Sequence, residues 1–281
     1  MTTTSATRPP SAKTSSATSP SPLSRETVDG IAVLTLDSPA SRNALSETML
    51  AALRTALDSI RDDTGVRAVV IAAKGPAFSS GHDLKELTAR RADADAGFAY
   101  FSQIMNSCSA MMQAIVRLPK PVVAAVQGVA TAAGCQLVAT CDLAVASENA
   151  KFATPGIDIG LFCSTPMVAL SRNVSRKHAM HMLLTGEPIS AQRAAELGLV
   201  NSVVPAGTER DAAIALARKI ALKSAYTLRI GKEAFYRQAE MPLSEAYHYA
   251  AQVMAMNMMA RDAEEGIGAF IEKRDPKWED R

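Results

Sequence analysis

A cluster of small residues at positions 130–134 (ATAAG) lies between a strand-like run and an apolar, helix-like run, and its chemistry would be the binding of an anion. A helix that begins among alanines and glycines leaves its first N–H groups open to an oxygen of another molecule. The positive end of the helix dipole favours negative charge at the same place. The cluster therefore indicates an oxyanion site, although tight packing of a helix on a sheet explains small residues equally well.

The segments around this cluster indicate the fold that must position it. Residues 120–164 read as strand, turn, helix, strand and a loop rich in glycine and proline. Upstream, IAVLTLD (31–37) alternates like a strand, and VRAVVIAA (66–73) reads as a buried strand. Between them, apolar residues recur at helical spacing: Met49, Leu50, Leu53, Leu57 and Ile60. This alternation predicts an α/β domain with repeated strand-strand-helix units.

Composition divides the chain into three predicted parts. Residues 1–24 are mostly Ser, Thr, Pro and Ala and cannot bury enough surface to offset the entropy of ordering, so we expect a disordered tail, with order beginning near Val28. Residues 25–205 are predicted to form the core domain. Residues 206–281 are predicted to form a helical C-terminal subdomain, in which Gly266 is expected to break the helical pattern.

One stretch of this C-terminal subdomain is crowded with flexible apolar side chains: Val253, Met254, Met256, Met258 and Met259. A methionine-rich helical face is more often core than binding surface, but a terminal subdomain this apolar commonly needs a partner to cover it. The sequence therefore predicts self-association.

Charge and cysteine content indicate few other partners. The formal net charge is +2, so neither nucleic acid nor an anionic membrane surface is indicated. No apolar run approaches the roughly 18–20 residues that span a bilayer, so a membrane anchor is not expected. The four cysteines lack metal-binding spacing and are expected to be reduced thiols, so no metal or separate cofactor is predicted.

The composition of the N-terminal tail leaves two locations open. Reduced cysteines favour a cytoplasmic protein. The tail is rich in serine and free of acidic residues, as organelle transit peptides are, but it lacks their amphipathic, arginine-rich pattern. A cytoplasmic location is expected, and a mitochondrial one follows if the tail acts as a transit peptide.

Five segments in order carry a resemblance to a known family: IAVLTLDSPASRNALS, GPAFSSGHDLKEL, KPVVAAVQGVATAAGCQLVATCDLAVAS, FATPGIDIGLF and TGEPISAQRAAELGLVNSVVP. Together they resemble the crotonase (enoyl-CoA hydratase/isomerase) superfamily and cover nearly everything after residue 25. The resemblance implies a spiral of strand-strand-helix units with a helical C-terminal part used in trimerisation, often as a dimer of trimers. It also implies a lyase of fatty acid metabolism with an acyl-CoA thioester as its ligand, the coenzyme A being part of the substrate.

The same resemblance implies roles for individual residues. Two backbone N–H groups, those of His82 and Ala133, match the family's oxyanion hole, so the His82 side chain is expected to point outward. Arg42, Lys85 and Lys273 fall in segments that approach the CoA phosphates in family members, where cations are favourable. The pocket wall is expected to include Asp158, Phe162, Cys163 and Ser164.

The sequence departs from the family where a hydratase keeps its two catalytic glutamates. Gln136 and Gly156 occupy the matching positions, and neither can exchange a proton with a substrate near pH 7. The two-glutamate hydration mechanism is therefore not supported. The family's dienoyl isomerisation is not supported either, because its acidic triad would fall on Gln136, Gly156 and Ser164.

Three hypotheses follow from this departure. In the first, the protein is hydratase-like or isomerase-like and uses Asp158, Cys163, Ser164 or His82 instead, while Gln136 orients a water. In the second, it decarboxylates a malonyl-type CoA ester, which needs the oxyanion hole but no general base to begin. The GHD sequence at 81–83 resembles the loop of methylmalonyl-CoA decarboxylases, although their tyrosine falls on Cys163. In the third, the protein binds acyl-CoA without catalysis.

Overall fold

The computed structural model describes residues 21–281. Its strands are β1 (Leu23–Val28), β2 (Ile31–Leu36), β3 (Ala68–Ala73), β4 (Ala77–Ser79), β5 (Val122–Val126), β6 (Val129–Thr131), β7 (Leu143–Ser147), β8 (Lys151–Ala153), β9 (Ile189–Ser190) and β10 (Ser202–Val204). Its α-helices are α1 (Glu47–Arg61), α2 (Leu84–Ala89), α3 (Phe98–Val116), α4 (Ala133–Thr140), α5 (Ser164–Asn173), α6 (Arg176–Thr185), α7 (Ala191–Glu196), α8 (Glu209–Ala221), α9 (Ala225–Gln238), α10 (Leu243–Met258) and α11 (Arg261–Glu272).

Pairs of strands followed by helices repeat along the chain and build two sheets. The first strands of the units form a six-stranded sheet in the order β1-β2-β3-β5-β7-β10, parallel except for the β1–β2 pair. The second strands form a four-stranded sheet in the order β4-β6-β8-β9, of which the first three strands are parallel. The predicted α/β class with strand-strand-helix units is confirmed.

Helix α1 shows why the helical spacing was informative. Ser46 caps its N-terminus by accepting a hydrogen bond from the N–H of Met49. The helix buries the five apolar residues that the spacing indicated, and they join the main core on one face of the six-stranded sheet.

Ordered structure begins earlier than the sequence indicated. The tail was expected to extend to residue 24 with order near Val28, but β1 starts at Leu23. This strand is held by antiparallel pairing with β2, and most of its side chains are exposed at the sheet edge. The strand therefore lacks the alternation that would reveal it in sequence. Residues 1–20 of the predicted tail lie outside the described residues.

Helix α8 packs on the core, although its residues fall in the predicted C-terminal subdomain. It packs Ala213, Ile214 and Ala217 on the second face of the six-stranded sheet, against side chains that include Ile31 and Val70. Successive side chains of β2 and β3 point to opposite faces, so both faces of these strands are covered. Composition could not show this, because α8 is as helical in pattern as the helices that follow it.

Helices α9 to α11 form the peripheral C-terminal part. Neither α9 nor α10 contains a buried residue. On α9, Lys232 Nζ donates to Asp142 Oδ2 at 2.7 Å and Tyr236 Oη donates to Asp142 Oδ1 at 2.8 Å, which joins the helix to the core. Gly266 does not break α11, because the indole of Trp278 packs over the glycine. Within residues 21–281, no helix is long and apolar enough to cross a membrane.

Candidate active site

The three segments that carry the predicted site residues follow three neighbouring parallel strands. His82 comes three positions after the end of β4, Ala133 two after β6, and Gly156 three after β8. The carboxyl ends of parallel strands meet at one edge of a sheet, which is where ligands bind in open α/β folds. The four-stranded sheet therefore brings these segments side by side, although about 75 residues separate the first from the last.

The direction of the His82 N–H is set by the peptide that links it to Gly81. The carbonyl oxygen of Gly81 accepts a hydrogen bond of 2.7 Å from the N–H of Leu45. In a trans peptide the N–H points opposite to the carbonyl, so the His82 N–H points away from Leu45. This N–H donates to no acceptor within residues 21–281.

The Ala133 N–H is oriented in the same way. The carbonyl of Ala132 accepts from the N–H of Gln136 at 3.0 Å, along the axis of α4, so the Ala133 N–H points out of the N-terminus of that helix. Ala132 has φ +50° and ψ −119°, a conformation that side chains disfavour, and its own N–H donates to Ala153 at 2.9 Å. In the described part of the chain the Ala133 N–H also has no acceptor.

The two donors lie close together because glycines allow it. A Cβ on Gly81 would lie 3.2 Å from the Ala133 nitrogen, and a Cβ on Gly134 would lie 2.2 Å from the Ser79 carbonyl oxygen. The packing explanation of the small-residue cluster therefore holds at Gly134, and the anion-binding explanation stays a prediction at Ala133. Gly134 permits the close packing, and Ala133 supplies the N–H.

Gln136 lies one helical turn beyond Ala133, and side chains on a helix tilt toward its N-terminus. Its side chain is 5% exposed, and its Oε1 has no hydrogen-bond partner among residues 21–281. A buried amide oxygen without a partner costs about 1–3 kcal/mol, which is unusual in an inert core position. The amide is neutral, so it can orient a polar group but cannot act as a base.

Gly156 has no room for a side chain, because Cys163 fills the space beside it. A Cβ at Gly156 would lie 2.8 Å from Cys163 Sγ and 2.8 Å from the Leu161 carbonyl oxygen. Burial raises the pKa of the Cys163 thiol, and a hydrogen bond from the Gly156 backbone lowers it only in part. Burial and the neighbouring Cys163 raise the pKa of Cys135 to about 12. Both thiols are neutral near pH 7, so neither replaces a catalytic carboxylate.

The remaining pocket residues of the prediction are exposed. Asp158 and Phe162 lie between β8 and α5, Ser164 is the first residue of α5, and Ser164 Oγ donates to the Phe162 carbonyl at 3.3 Å. Asp83, next to a donor, caps α2 by accepting from the N–H groups of Lys85 and Glu86.

The His82 ring does not point outward as expected. The residue is half-buried, and both ring nitrogens are inaccessible and have no hydrogen-bond partner in the described range. Burial lowers the pKa of His82, while the nearby Leu45 carbonyl opposes this more weakly. A neutral ring that faces the protein interior is consistent with the backbone, rather than the imidazole, being the functional group.

The three predicted phosphate-binding cations are exposed and form no ion pair within residues 21–281. The Arg42 carbonyl accepts from the N–H of Ser80 at 3.0 Å, and Lys85 is the second residue of α2, three positions after His82, so both flank the donor segment. Lys273 is the C-cap residue of α11, in the peripheral helices.

Other candidate sites offer no competing chemistry. Two concavities of about 430 and 580 Å³ lie between α9 and the segments that precede β3 and β5 in the first and β5 alone in the second, at the opposite edge of the six-stranded sheet from the donors. Among residues 21–281, no group of three His, Cys, Asp or Glu side chains is placed to hold a metal ion.

Sequence reasoning missed the residues that hold the donor segment. Asn43 and Ser79 are fully buried and hydrogen-bonded to each other, and neither stood out as functional. The available signal was weak: asparagine is one of the few residues that adopts a left-handed backbone readily, and Asn43 has φ +52°.

Residues 26–281 match the enoyl-CoA hydratase/isomerase family. The chain belongs to the enoyl-CoA hydratase/isomerase family. The resemblance that the five segments carried is thus confirmed, and so is the fold that it implied.

Several members of this family are closely similar. Human enoyl-CoA hydratase domain-containing protein 3, mitochondrial, is 48% identical over 92% of this chain and 84% of its own. Its crystal structure matches with a TM-score of 0.87 over 92% of this chain and 100% of that chain, at 47% identity. A crystal structure of an enoyl-CoA hydratase from Mycobacterium smegmatis is 51% identical, with a TM-score of 0.86, and the match covers 92% of this chain and 98% of that one.

Replacing Gly156 with alanine is expected to destabilise the protein by about 1–3 kcal/mol, because the new methyl group meets Cys163 Sγ and a backbone carbonyl. Gly231→Ala in α9 provides the control, since no heavy atom lies within 4 Å of its added Cβ. That change should stabilise by about 0.5–1 kcal/mol. Denaturant unfolding measures both, and equal effects of one sign would contradict the packing described at Gly156.

Proposed function

We propose that this protein binds an acyl-CoA thioester and stabilises its enolate through the backbone N–H groups of His82 and Ala133. The observation that carries the proposal is that both donors are oriented by hydrogen bonds on the far side of their peptides, while the N–H groups themselves remain unused within residues 21–281. Preorganised donors of this kind stabilise developing negative charge, and one such donor contributes about 3–4 kcal/mol. Family membership supports a CoA thioester as the ligand.

The coenzyme A would enter as part of this ligand, and no other cofactor is required. Arg42 and Lys85 flank the donor segment with free positive charge, which suits the phosphates of CoA. Lys273 is the third cation proposed for the phosphates and lies in the peripheral helices, so it would act from a neighbouring subunit.

The chemistry that follows enolate stabilisation does not use two glutamates. Gln136 has no proton to exchange, and the place of a second carboxylate is occupied by the Cys163 sulfur. A hydratase-like activity therefore depends on Gln136 to orient water and on a substitute proton donor such as Asp158, between β8 and α5, or Ser164, at the start of α5, both of which are exposed.

Decarboxylation of a malonyl-type CoA ester is the second candidate, and the lack of carboxylates at Gln136 and Gly156 favours it. A substrate carboxylate would meet no fixed negative charge at these two positions. When the bond to the carboxylate breaks, its electron pair moves to the thioester, carbon dioxide leaves, and the two N–H groups stabilise the enolate without a general base. Acyl-CoA binding without turnover is the third candidate.

Acetoacetyl-CoA tests the oxyanion hole directly, because its enolate absorbs in the near ultraviolet and its keto form does not. The wild-type protein should raise the enolate fraction of the bound ligand. Ala133→Pro removes one donor at the first position of α4, where proline is tolerated, and should lower the enolate-to-keto ratio about a hundredfold. Ala133→Ser retains the N–H and should behave like the wild type. Binding without any enolate signal in the wild type would overturn the proposal.

Turnover assays separate the candidate reactions. If decarboxylation is the activity, methylmalonyl-CoA should lose carbon dioxide while crotonyl-CoA gains no water, because only the first reaction begins without a base. Hydration of crotonyl-CoA alone would favour the hydratase-like reaction. Enolate stabilisation of acetoacetyl-CoA with neither turnover would leave acyl-CoA binding as the function.

A homotrimer, or a dimer of trimers, is proposed as the functional assembly. Large apolar side chains of the peripheral helices are exposed, including Met259 at 87% and Phe270 at 84%. Sedimentation should give about three or six times the 29.7 kDa of one chain, and Phe270→Glu should weaken assembly, whereas Lys219→Glu on the exposed side of α8 should not. A monomer at micromolar concentration would exclude this assembly.

The relatives' names bear on location. The human relative is described as mitochondrial, which does not support the expected cytoplasmic location and is compatible with a transit peptide in residues 1–24. We therefore propose a mitochondrial location, which imaging of a fusion with and without residues 1–24 tests. Cytosolic signal from both fusions would exclude this location.

A further inference from the structure

The segment that carries the His82 donor is held by one short loop. The loop consists of residues 42–45, and each of residues 79–81 is hydrogen-bonded to it. The Ser79 Oγ donates to the Asn43 carbonyl at 2.8 Å, and the Ser80 N–H donates to the Arg42 carbonyl at 3.0 Å. The Gly81 carbonyl accepts from the Leu45 N–H at 2.7 Å. Ser79 Oγ also accepts from the Gly81 N–H at 3.3 Å. The direction of the donor therefore depends on the conformation of this loop.

The loop has an unfavourable backbone that needs support. Arg42 and Asn43 both have left-handed conformations, with φ +56° and +52°. Two successive non-glycine residues in this region are disfavoured and persist only when the surroundings hold them. Without such support, the carbonyls of Arg42 and Asn43 and the N–H of Leu45 would no longer point at residues 79–81.

The Asn43 side chain supplies that support. It is fully buried, its Oδ1 accepts from the Ser38 N–H at 2.8 Å, and its Nδ2 donates to the carbonyls of Lys74 and Ala77, each at 2.8 Å. One amide thus joins the start of the loop to the chain that leads from β3 into β4. Both amide hydrogens are used, so the side chain is locked in one orientation.

We propose that Asn43 is a positioning residue for the oxyanion hole, acting through Ser79 and Leu45 on the direction of the His82 N–H. The proposal rests on the proposed function of that N–H. Asn43 is sealed from the ligand, so its effect is on the angle of the donor and not on contact with substrate. A misplacement of about 1 Å in such a site costs about a hundredfold in the reaction that it serves.

Asn43→Asp is the primary test, because it keeps the shape and the Oδ1 acceptor but turns an oxygen toward the carbonyls of Lys74 and Ala77. Ser79→Ala is the second variant and removes the hydroxyl that links Asn43 to Gly81. Gln127→Met is the matched control: its amide also donates to the Ala77 carbonyl, and to that of Gly75, but has no bond to residues 79–81.

Two measurements on the full-length protein read the result. The enolate-to-keto ratio of bound acetoacetyl-CoA should fall about ten- to a hundredfold in Asn43→Asp and Ser79→Ala, while the affinity for free coenzyme A, which has no thioester carbonyl, changes less than about twofold. Hydrogen–deuterium exchange of a peptide covering residues 78–84 should become faster in both variants. Gln127→Met should change neither quantity.

The outcomes separate this proposal from the one it rests on. An unchanged enolate ratio in both variants, with a clear enolate signal in the wild type, would overturn the positioning role alone. Equal losses in the enolate ratio and in coenzyme A affinity would overturn it as well, since that is general damage. No enolate in the wild type would overturn the oxyanion role of His82. In that case the positioning role is tested by hydrogen–deuterium exchange alone, and an unchanged exchange rate of residues 78–84 in both variants would overturn it.

Discussion

The contact between the Ser79 carbonyl and Gly134 is the constraint on which the site depends. It sets how closely the ends of β4 and β6 approach, and only a residue without a Cβ fits there. At this separation the N–H groups of His82 and Ala133 lie beside each other, each turned by a hydrogen bond on the opposite side of its peptide. Backbone packing, rather than any reactive side chain, thus places the two N–H groups that are proposed to form the oxyanion hole.

At the two positions where the family resemblance predicts glutamates, the structure shows other groups. Glutamine stands at position 136 with a buried oxygen that has no partner within residues 21–281, and the Cys163 sulfur fills the volume beside Gly156. A side chain could return to position 156 only if the loop from Leu161 to Cys163 moved. Neither position 136 nor position 156 carries an ionisable side chain, so neither supplies a base for chemistry that begins with proton removal.

The buried six-stranded sheet and the exposed C-terminal helices differ in how they are covered. Both faces of the six-stranded sheet are covered, one by the main core and the other by α8, so the strands that lead to the donors are buried on both sides. Helices α9 to α11 instead expose large apolar side chains, and α9 is joined to the core by polar contacts at Asp142. Such an exposed apolar surface is typical of an interface between chains.

The sequence by itself determined the α/β class, the repeated strand-strand-helix units and the buried face of α1, because these depend on local periodicity. Only the family resemblance, and not the small residues alone, singled out Ala133 as a donor and positions 136 and 156 as the places where glutamates are predicted. The tertiary structure decided that two N–H groups on neighbouring segments have no acceptor within residues 21–281, that Cys163 occupies the space beside Gly156, that the His82 ring is turned inward and that α8 covers the sheet. These features are distances between segments that lie far apart in the chain, and no local pattern encodes such a distance.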